Sequence, residues 1–388
     1  MDREPGNHPR LYRQLAQRLR DDVRAGRYAN RLPPEPDLAR RLEVSRGTLR
    51  QALSLLVAEG LLFTVPGRGT FVRSSATTTP ASPAGAVGLV LPSIVRSRAQ
   101  LLVSGVEEAL RQAGYAFLLA TSGFDARLET EQIERIVSQG ARGLIVYVVD
   151  GPFDLPVLRR LVADGLPVVL VDRFVPDLDV DAVSVDNLGG AYAAVQHLIE
   201  QGYRRIGYIG TQNVGTSSIV ERMAGYHWAM RTHGLPVAEP LVCASLHRLQ
   251  GRRATADEQT LGQHNQEVLR RYLGGAHPPE AVFVCNDYVA FQVVDTATSL
   301  GLRVPHDLAV VGFDNVPAED YTGVPLTTVD QPRHTLGATA ARLLVDRLAG
   351  RRQETGRVRV GTRLIVRASS QRPPRPARAT ASLATAGP

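Results

Sequence analysis

Apolar residues near the start of the chain recur at the spacing of helices. A repeat of every fourth residue predicts a first helix that ends near Gly26 and has an apolar face formed by Leu11, Leu15, Leu19 and Val23. A second, shorter helix fits residues 36 to 42, and a third fits residues 46 to 58 with Ser45 as its N-cap. Three helices in short succession favour a helix-turn-helix.

Two short apolar runs follow Gly60 and surround the glycine-rich turn "PGRG". Residues 61 to 65 and 70 to 73 predict two strands of a hairpin. Three helices and a hairpin within about 65 residues predict a winged helix-turn-helix, whose third helix enters the major groove of DNA by its N-terminal residues.

The third helix separates its residues into two faces. We expect an inward face formed by Leu49, Leu53, Leu56 and Val57. The outward face then consists of hydrogen-bond donors and small residues, which suit phosphates and base edges: Arg46, Gly47, Arg50, Gln51 and Ser54. An ordinary surface helix would also expose its arginines, so a solvated face is the alternative. Arg68, between Gly67 and Gly69 at the hairpin tip, favours a phosphate contact and therefore DNA.

Beyond residue 85, short apolar runs alternate with helical periods. Val- and Ile-rich runs of about five residues predict strands buried on both faces, at residues 87–91, 116–120, 143–148, 167–171, 206–210, 281–285 and 308–313. Helical spacing is found at residues 99–113, 128–139, 155–164, 187–202, 220–233, 265–273, 288–300 and 332–349. This alternation predicts parallel sheets covered by helices. Because "VGLVLP" and "IGYIGT" each open a similar half, two α/β lobes with a ligand site between them are expected.

Polar and aromatic residues stand where these predicted strands end. They are Ser93, Tyr147, Asp172, Arg173 and Phe174 in the first lobe and Asn286, Asp287 and Asp314 in the second. Carboxylates, amides and an arginine can bind the hydroxyl groups of a polar ligand, and Phe174 or Tyr147 can stack on it. Each residue could instead cap the next helix, and paired carboxylates could do acid–base catalysis. No nucleophile and base pair, metal-ligand set or GxSxG motif accompanies them.

Charge and composition narrow the function. The net charge of +7 is uneven, because residues 1 to 75 hold 14 arginines against 8 acidic residues. A basic N-terminal module on a slightly acidic body indicates that a polyanion binds at the front. The chain of 388 residues contains no lysine, which excludes a Schiff base to pyridoxal and a P-loop. We therefore expect no cofactor, and Cys243 and Cys285 have no metal-ligand spacing.

The composition also predicts the domain boundaries. The Ser-, Thr- and Pro-rich residues 74 to 85 predict a linker between a DNA-binding domain at 1–73 and a two-lobe domain at 86–368, and residues 369–388 predict a disordered tail. No run of about 18 apolar residues could span a bilayer. The first 15 residues include no apolar signal, so a cytoplasmic location is expected.

The segment "LPPEPDLARRLEVSRGTLRQALSLLVAEGLLFTVPGRGTFV" resembles the DNA-binding domain of GntR-type transcription regulators over nearly its whole length. The resemblance implies DNA contacts from Ser45, Arg46, Thr48, Arg50 and the wing residues 67 to 69. The chain departs from the family at Pro36, where relatives usually have an arginine, and at Gly47, where many have a polar side chain. We therefore expect Arg46 and Arg50 to make more of the base contacts.

The body is similar to the sensor domain of the lactose and galactose repressor family, a periplasmic-binding-protein-like fold. The similarity rests on "VDNLGGAYAAVQHLIEQGYRRIGYIG", "ERMAGYHWAM", "AVFVCNDYVAFQVV", "GLRVPHDLAVVGFDN" and "PLTTVDQP". It implies homodimers and effector contacts from Asp172, Arg222, Asn286, Asp287, Asp314 and Gln331. "PSIVRSRAQ" departs from the family after the first strand, and polar residues 247 to 266 suggest a flexible loop over the cleft.

The sequence thus predicts a DNA-binding transcription regulator, a repressor, that binds double-stranded operator DNA and a small polar effector. The aspartates favour a sugar or polyol, whereas Arg173 and Arg222 would also suit an acid or a phosphate. Two other classes share the body: a sugar-binding receptor, which should have an export signal and no basic head, and a carbohydrate-active enzyme, which should turn over a sugar.

Overall fold

The computed structural model describes residues 8–24, 27–28, 31–59, 61–65, 69–72, 84–94, 97–149, 156–211, 215–243, 256–317 and 323–372. Residue contacts divide the chain into two compact units, Met1–Ser82 and Pro83–Pro388. We call them the head and the body.

The head consists of three helices and a hairpin. Its elements are α1 (His8–Arg24), α2 (Glu35–Arg41), α3 (Arg46–Ala58), β1 (Leu62–Val65) and β2 (Gly69–Val72). The two strands are antiparallel, with Leu62 opposite Val72. The apolar faces of the helices meet in one core around Leu19, Leu49 and Leu56, each fully buried. This arrangement is the predicted winged helix-turn-helix.

Two residues predicted to pack inward do not. Leu11 is 46% exposed and Val57 is 39% exposed. Successive positions of a four-residue repeat rotate by about 40° around a helix, so the repeat in α1 moves its earliest member away from the core. In α3 the buried Ala52 shifts the apolar face, which leaves Val57 at its edge.

The first lobe of the body has a six-stranded sheet in the order β13-β7-β6-β5-β3-β4. Its strands are β3 (Ala86–Leu91), β4 (Ala116–Thr121), β5 (Ala141–Val146), β6 (Val168–Val171), β7 (Asp181–Val185) and β13 (Arg357–Val360). All are parallel. The helices packed on this lobe are α4 (Ser97–Gln112), α5 (Ala126–Ser138), α6 (Pro156–Ala163) and α11 (Arg333–Leu348).

The second lobe repeats this plan, with the strand order β14-β12-β11-β10-β8-β9. Its strands are β8 (Ile206–Thr211), β9 (Leu241–Cys243), β10 (Ala281–Val284), β11 (Ala309–Asp314), β12 (Thr327–Asp330) and β14 (Arg363–Ile365). Only β14 is antiparallel to its neighbour. The helices of this lobe are α7 (Asn187–Glu200), α8 (Ser217–Thr232), α9 (Ala256–Leu273) and α10 (Asp287–Ser299), and Ala368–Ser370 forms a 3-10 turn.

The chain crosses between the lobes at three places within the described part of the body. After β7 it enters α7, which packs against β10 to β12 of the second lobe. After β12 it returns to α11, which packs against β5 to β7 of the first lobe. After β13 it crosses again into β14. Residues at these crossings therefore lie between the lobes, where strand ends of both sheets meet.

Seven of the predicted strands are present, whereas β7, β9, β12, β13 and β14 were not predicted. Their runs are short or rich in polar residues, as in "RVRV" of β13. The predicted flexible loop is also partly wrong, because residues 256 to 266 belong to α9, while residues 247 to 255 lie outside the described range.

The body also extends past the predicted start of the tail at residue 369. Ser369 and Ser370 are fully buried. The Ser369 hydroxyl donates to the Val310 carbonyl at 2.6 Å, and Ser370 hydrogen-bonds to His197 and Thr327. The polar composition of this segment predicted disorder. Its two serine hydroxyl groups instead form buried hydrogen bonds with residues of the second lobe. None of the described helices is both long enough and apolar enough to cross a membrane.

Candidate functional site

The N-terminus of α3 is set by a side-chain cap. The Ser45 hydroxyl accepts a hydrogen bond from the Thr48 backbone N–H at 3.1 Å and lies 2.8 Å from the Thr48 hydroxyl. Thr48 is only 6% exposed. Both hydroxyl groups thus stabilise the start of the helix, and their predicted DNA contacts stay predictions.

Four predicted DNA-binding residues of α3 are exposed: Arg46, Gly47, Arg50 and Gln51. Arg50 donates from Nε to a Glu35 carboxylate oxygen at 2.9 Å while its side chain stays 70% exposed. This bond orients the guanidinium and leaves its outer nitrogens available. A Cβ at Gly47 would lie no closer than 3.8 Å to its neighbours, so packing does not require glycine there.

A basic residue that was not predicted, Arg31, packs against the hairpin. Gly69 has a φ of +108°, and a Cβ there would lie 3.1 Å from the Arg31 guanidinium. Arg31 also lies 5.5 Å above the Phe71 ring. Its exposed charge therefore lies against the wing, although it precedes α2 in sequence. The predicted wing residues Gly67 and Arg68 lie outside the described residues.

A cavity of about 120 Å³ lies between the two lobes of the body. Seven of the ten predicted effector residues line it: Ser93, Tyr147, Asp172, Arg173, Arg222, Asn286 and Asp314. Further lining residues that sequence reasoning missed are Phe124, Ser218, Ile219, Tyr288 and Arg333. That these residues bind an effector stays a prediction.

The first lobe contributes a carboxylate and an arginine from the end of β6. Asp172 adopts a φ of +71°, a left-handed conformation that is uncommon for aspartate and recurs at functional sites. Arg173 lies 3.7 Å from the Asp172 carboxylate and 5.2 Å above the Tyr147 ring. Burial, followed by the charge of Asp172, raises the pKa of Tyr147 to about 12, so its hydroxyl stays protonated.

The second lobe contributes a similar pair. Arg222, on α8, donates to the Asn187 side-chain oxygen at 2.9 Å and to the Cys285 carbonyl at 2.6 Å. It also lies 3.6 Å from the Asp314 carboxylate, at the end of β11. Asp314 has a φ of +122°. Each lobe thus places one strained, buried aspartate beside one buried arginine.

Asn286 lines the cavity and also caps a helix. Its side-chain oxygen accepts the Val289 N–H at 3.0 Å and begins α10. Asn286 therefore caps a helix, which the sequence analysis gave as the alternative to a ligand contact. Its amide nitrogen lies 3.5 Å from the Cys285 sulfur. Burial raises the pKa of the Cys285 thiol to about 12, which keeps the sulfur in its unreactive thiol form.

Three predicted effector residues do not line this cavity. The Phe174 ring lies 3.7 Å below the Arg357 guanidinium. The Asp287 carboxylate accepts hydrogen bonds from the Thr328 hydroxyl at 2.7 Å and from the Val316 N–H at 2.8 Å. The Gln331 amide nitrogen donates to the Asp314 carboxylate. Asp287 and Gln331 border a neighbouring cavity of about 440 Å³, which Asp314 and Arg333 also line.

Arg333 joins the two lobes electrostatically. It begins α11, directly after the chain crosses from β12, and only 6% of it is exposed. It donates to the Asp172 carboxylate at 3.3 Å and lies 3.7 Å from the Asp314 carboxylate. The motif "PLTTVDQP" ends one residue before Arg333, so the resemblance did not include it.

A buried carboxyl lies behind the cavity wall. Glu129 is 1% exposed and accepts the Val149 N–H at 2.8 Å. Burial raises its pKa to about 7, against the opposing effect of the backbone hydrogen bond and of Arg173. Among the described residues, no group of three or more histidine, cysteine, aspartate or glutamate side chains could hold a metal ion.

Comparison with known proteins covers both units. Residues 11–72 match the family of bacterial regulatory proteins called gntR, and residues 195–370 match the periplasmic binding protein-like domain family. The arabinose metabolism transcriptional repressor of Geobacillus stearothermophilus is 30% identical, over 93% of this chain and 97% of that protein. The chain belongs to the GntR-type transcription regulators with a periplasmic-binding-protein-like sensor domain.

Solved structures agree with this assignment. A LacI family transcriptional regulator from Mycobacterium smegmatis is 29% identical to this GntR-type regulator. The two structures have a TM-score of 0.61 over 73% of this chain and 98% of that chain. The complex of the transcriptional regulator CelR with cellobiose is also 29% identical, with a TM-score of 0.60, over 87% of this chain and all of that one. The relatives are transcription regulators, so this protein is a regulator and not an enzyme.

Proposed function

We propose that this regulator is a repressor that binds operator DNA through α3 and the wing and is controlled by a sugar bound between its lobes. The observation that carries the proposal is the cavity in which charged side chains from both lobes meet. A DNA-binding head and a ligand cavity in one chain are the two parts that such control requires.

The cavity chemistry supports a small polyhydroxylated effector. Carboxylates accept hydrogen bonds from hydroxyl groups, arginines donate to ring and hydroxyl oxygens, and Tyr147 offers an aromatic surface. The cavity volume of about 120 Å³ is well above the roughly 10–15 Å³ that a single water molecule requires, so the cavity has room for more than one water-sized polar group. The similar CelR structure contains cellobiose, which supports a sugar as the ligand class.

The control mechanism rests on a homodimer. A dimer would place two copies of α3 on a pseudo-palindromic operator, with half-sites about one helical turn apart. Effector binding that favours one arrangement of the lobes would change the spacing of the heads. The effector can shift this equilibrium only if it binds one arrangement more tightly than the other. Chromosomal DNA as the target implies that the protein works in the cytoplasm.

The DNA part is tested with the full-length protein and labelled DNA from upstream of its own gene. We expect specific binding whose affinity falls steeply between 50 and 200 mM salt, because phosphate contacts release counterions. A scrambled fragment of equal length is the control. Equal affinity for both fragments would contradict the operator proposal.

The effector part is tested by thermal unfolding of the same protein against a panel of monosaccharides, followed by DNA binding with each ligand that raises the melting temperature. A ligand that binds only the folded state stabilises it according to its occupancy. We expect such a ligand to change operator affinity. A ligand that raises the melting temperature but leaves operator affinity unchanged would contradict the control proposal.

A further inference from the structure

Arg333 is positioned to read the charge of a ligand. Its guanidinium contacts one carboxylate from each lobe, 3.3 Å from Asp172 and 3.7 Å from Asp314. Its Nε is buried and has no hydrogen-bond partner among the described residues. This donor of Arg333 is therefore the one that a ligand in the cavity could bind.

The charges that line the cavity do not balance. Three arginines and two aspartates line it: Arg173, Arg222, Arg333, Asp172 and Asp314. Each is at most 9% exposed. Keeping a surplus positive charge away from water is unfavourable unless an anion or trapped water compensates for it. The nearby Glu129 does not line the cavity, and its raised pKa leaves it partly protonated at neutral pH.

The Asp314 carboxylate is shared by two arginines that line the cavity. Its Oδ1 accepts a hydrogen bond from the Gln331 amide and lies within 3.6 Å of Arg222 and 3.7 Å of Arg333. The two arginines therefore share one carboxylate, at distances longer than a direct hydrogen bond. An anionic oxygen of a ligand would give Arg333 an additional charged acceptor.

We propose that Arg333 makes the cavity selective for an effector that carries an anionic group, a carboxylate or a phosphate. The effector would then be a sugar acid or a sugar phosphate. This inference rests on the proposed function and narrows its ligand class. An anionic group on Arg333 gives hydrogen bonds in which donor and acceptor are both charged, and it compensates for the surplus positive charge, whereas a neutral sugar offers only uncharged acceptors.

The test measures the affinity of the full-length protein for matched ligands by calorimetry. The pairs are galactose with galacturonate and glucose with glucuronate, and glucose 6-phosphate and inorganic phosphate complete the panel. We expect at least one sugar acid or sugar phosphate to bind about tenfold or more tightly than its neutral counterpart, and more tightly than inorganic phosphate. Comparing the sugar acids with glucose 6-phosphate shows whether the cavity selects a carboxylate or a phosphate.

Two substitutions assign the selectivity to Arg333. Arg333→Met should reduce the preference for the anionic member to about threefold or less, because the charge is gone. Arg333→Lys keeps the charge but loses the planar guanidinium, so an intermediate preference is expected. This variant replaces the methionine variant if that one does not fold. Arg351→Met removes an exposed arginine paired with Asp346, and it should keep the wild-type preference.

The outcomes separate the two proposals. If neutral sugars bind as tightly as the acids, or if Arg333→Met keeps the preference, the charge-selection inference is wrong while sugar control stands. If inorganic phosphate binds as tightly as the sugar acids, the cavity selects a bare anion and the inference is also wrong. If no ligand of the panel binds while DNA binding is intact, sugar control fails, and this inference fails with it.

Discussion

The head and the body place the same residue type in opposite surroundings. In the head, the Arg50 side chain is 70% exposed, and its Nε lies 2.9 Å from the Glu35 carboxylate. In the body, the side chains of Arg222 and Arg333 are each 6% exposed. Arg222 lies 3.6 Å from the Asp314 carboxylate, and Arg333 lies near one carboxylate of each lobe. An exposed arginine stays solvated until DNA replaces the water, at little cost to folding. A buried arginine needs a partner in the folded protein itself.

This difference teaches which charges can be changed without unfolding the protein. Exposed ion pairs contribute about 0–1 kcal/mol, since water and salt screen them. Breaking a buried pair costs about 3–5 kcal/mol, because the remaining charge is left without compensation. Mutations of exposed charges in the head should therefore change stability by about 1 kcal/mol at most, whereas mutations of the buried charges in the cavity should affect ligand binding and stability together.

The largest effect is expected at Asp314. Asp314→Asn leaves Arg222 and Arg333 facing a neutral group, and we expect the free energy of unfolding of the body to fall by about 3 kcal/mol. Urea unfolding of the full-length protein measures it. Glu35→Gln, which neutralises the exposed partner of Arg50, is the matched control and should cost less than about 1 kcal/mol. Equal losses in both variants would contradict the distinction.

The buried carboxyl group of Glu129 tests the same distinction through the pH dependence of stability. The pKa of Glu129 is raised to about 7, so the folded protein holds a proton that the unfolded chain loses near pH 4.5. Its stabilising contribution is complete below pH 4.5 and is lost as the pH rises to about 7, a loss of about 3 kcal/mol in all.

Glu129→Gln should remove this part of the pH dependence, as measured by urea unfolding at pH 5 and pH 8. Relative to wild type, the variant should therefore gain stability at the higher pH. Glu134→Gln, an exposed glutamate on the same helix that pairs with Arg160, is the control and should show no such gain. A wild-type pH response in the Glu129 variant would mean that the carboxyl is already ionised in the folded protein.

In the head, Arg50→Ala should abolish specific operator binding without measurable loss of stability. Loss of a bidentate base contact costs about 1–3 kcal/mol for each site, and the surface position of Arg50 explains why folding is unaffected. Fluorescence anisotropy measures the affinity for operator and scrambled DNA. Arg27→Ala removes an exposed arginine paired with Asp22 and is the control for charge alone.

Pro36 gives a related test of base reading. Because proline has no side-chain donor, Pro36→Arg should change which operator sequence is preferred. Selection from a random DNA pool, with wild type in parallel, measures the preference. An unchanged preferred sequence would argue against a base-reading role at this position.

The smallest effect is expected for the pair of Arg20 and Glu59, which links α1 to the end of α3 through two hydrogen bonds of 3.0 and 2.6 Å. Their side chains are 18% and 39% exposed. A double-mutant cycle with alanine should give a coupling of about 0.5–1 kcal/mol. A coupling as large as that expected in the cavity would weaken the contrast between head and body.

Much of the head could be predicted from sequence because its site is local. The helix predicted at residues 46 to 58 is found as Arg46–Ala58, and the Ser45 cap is present. Arg31 escaped prediction, since it reaches the wing only through the pairing of residue 31 with Phe71. The cap also holds Thr48 inside the head, which periodicity alone did not indicate.

In the body, the sequence determined the two α/β lobes and the polar strand ends, because buried parallel strands and the residues that end them are marked by composition and order. The tertiary structure decided which of these residues meet. It turned Phe174 towards Arg357, directed Asp287 and Gln331 to a neighbouring cavity, and brought Arg333 between Asp172 and Asp314. These contacts join residues more than 15 positions apart, and some join residues more than 150 apart, so they depend on the three crossings of the chain. The local sequence pattern specifies which helix or strand a residue belongs to and which face of it the residue occupies. Its partners across the cleft depend on how the two sheets are connected and packed.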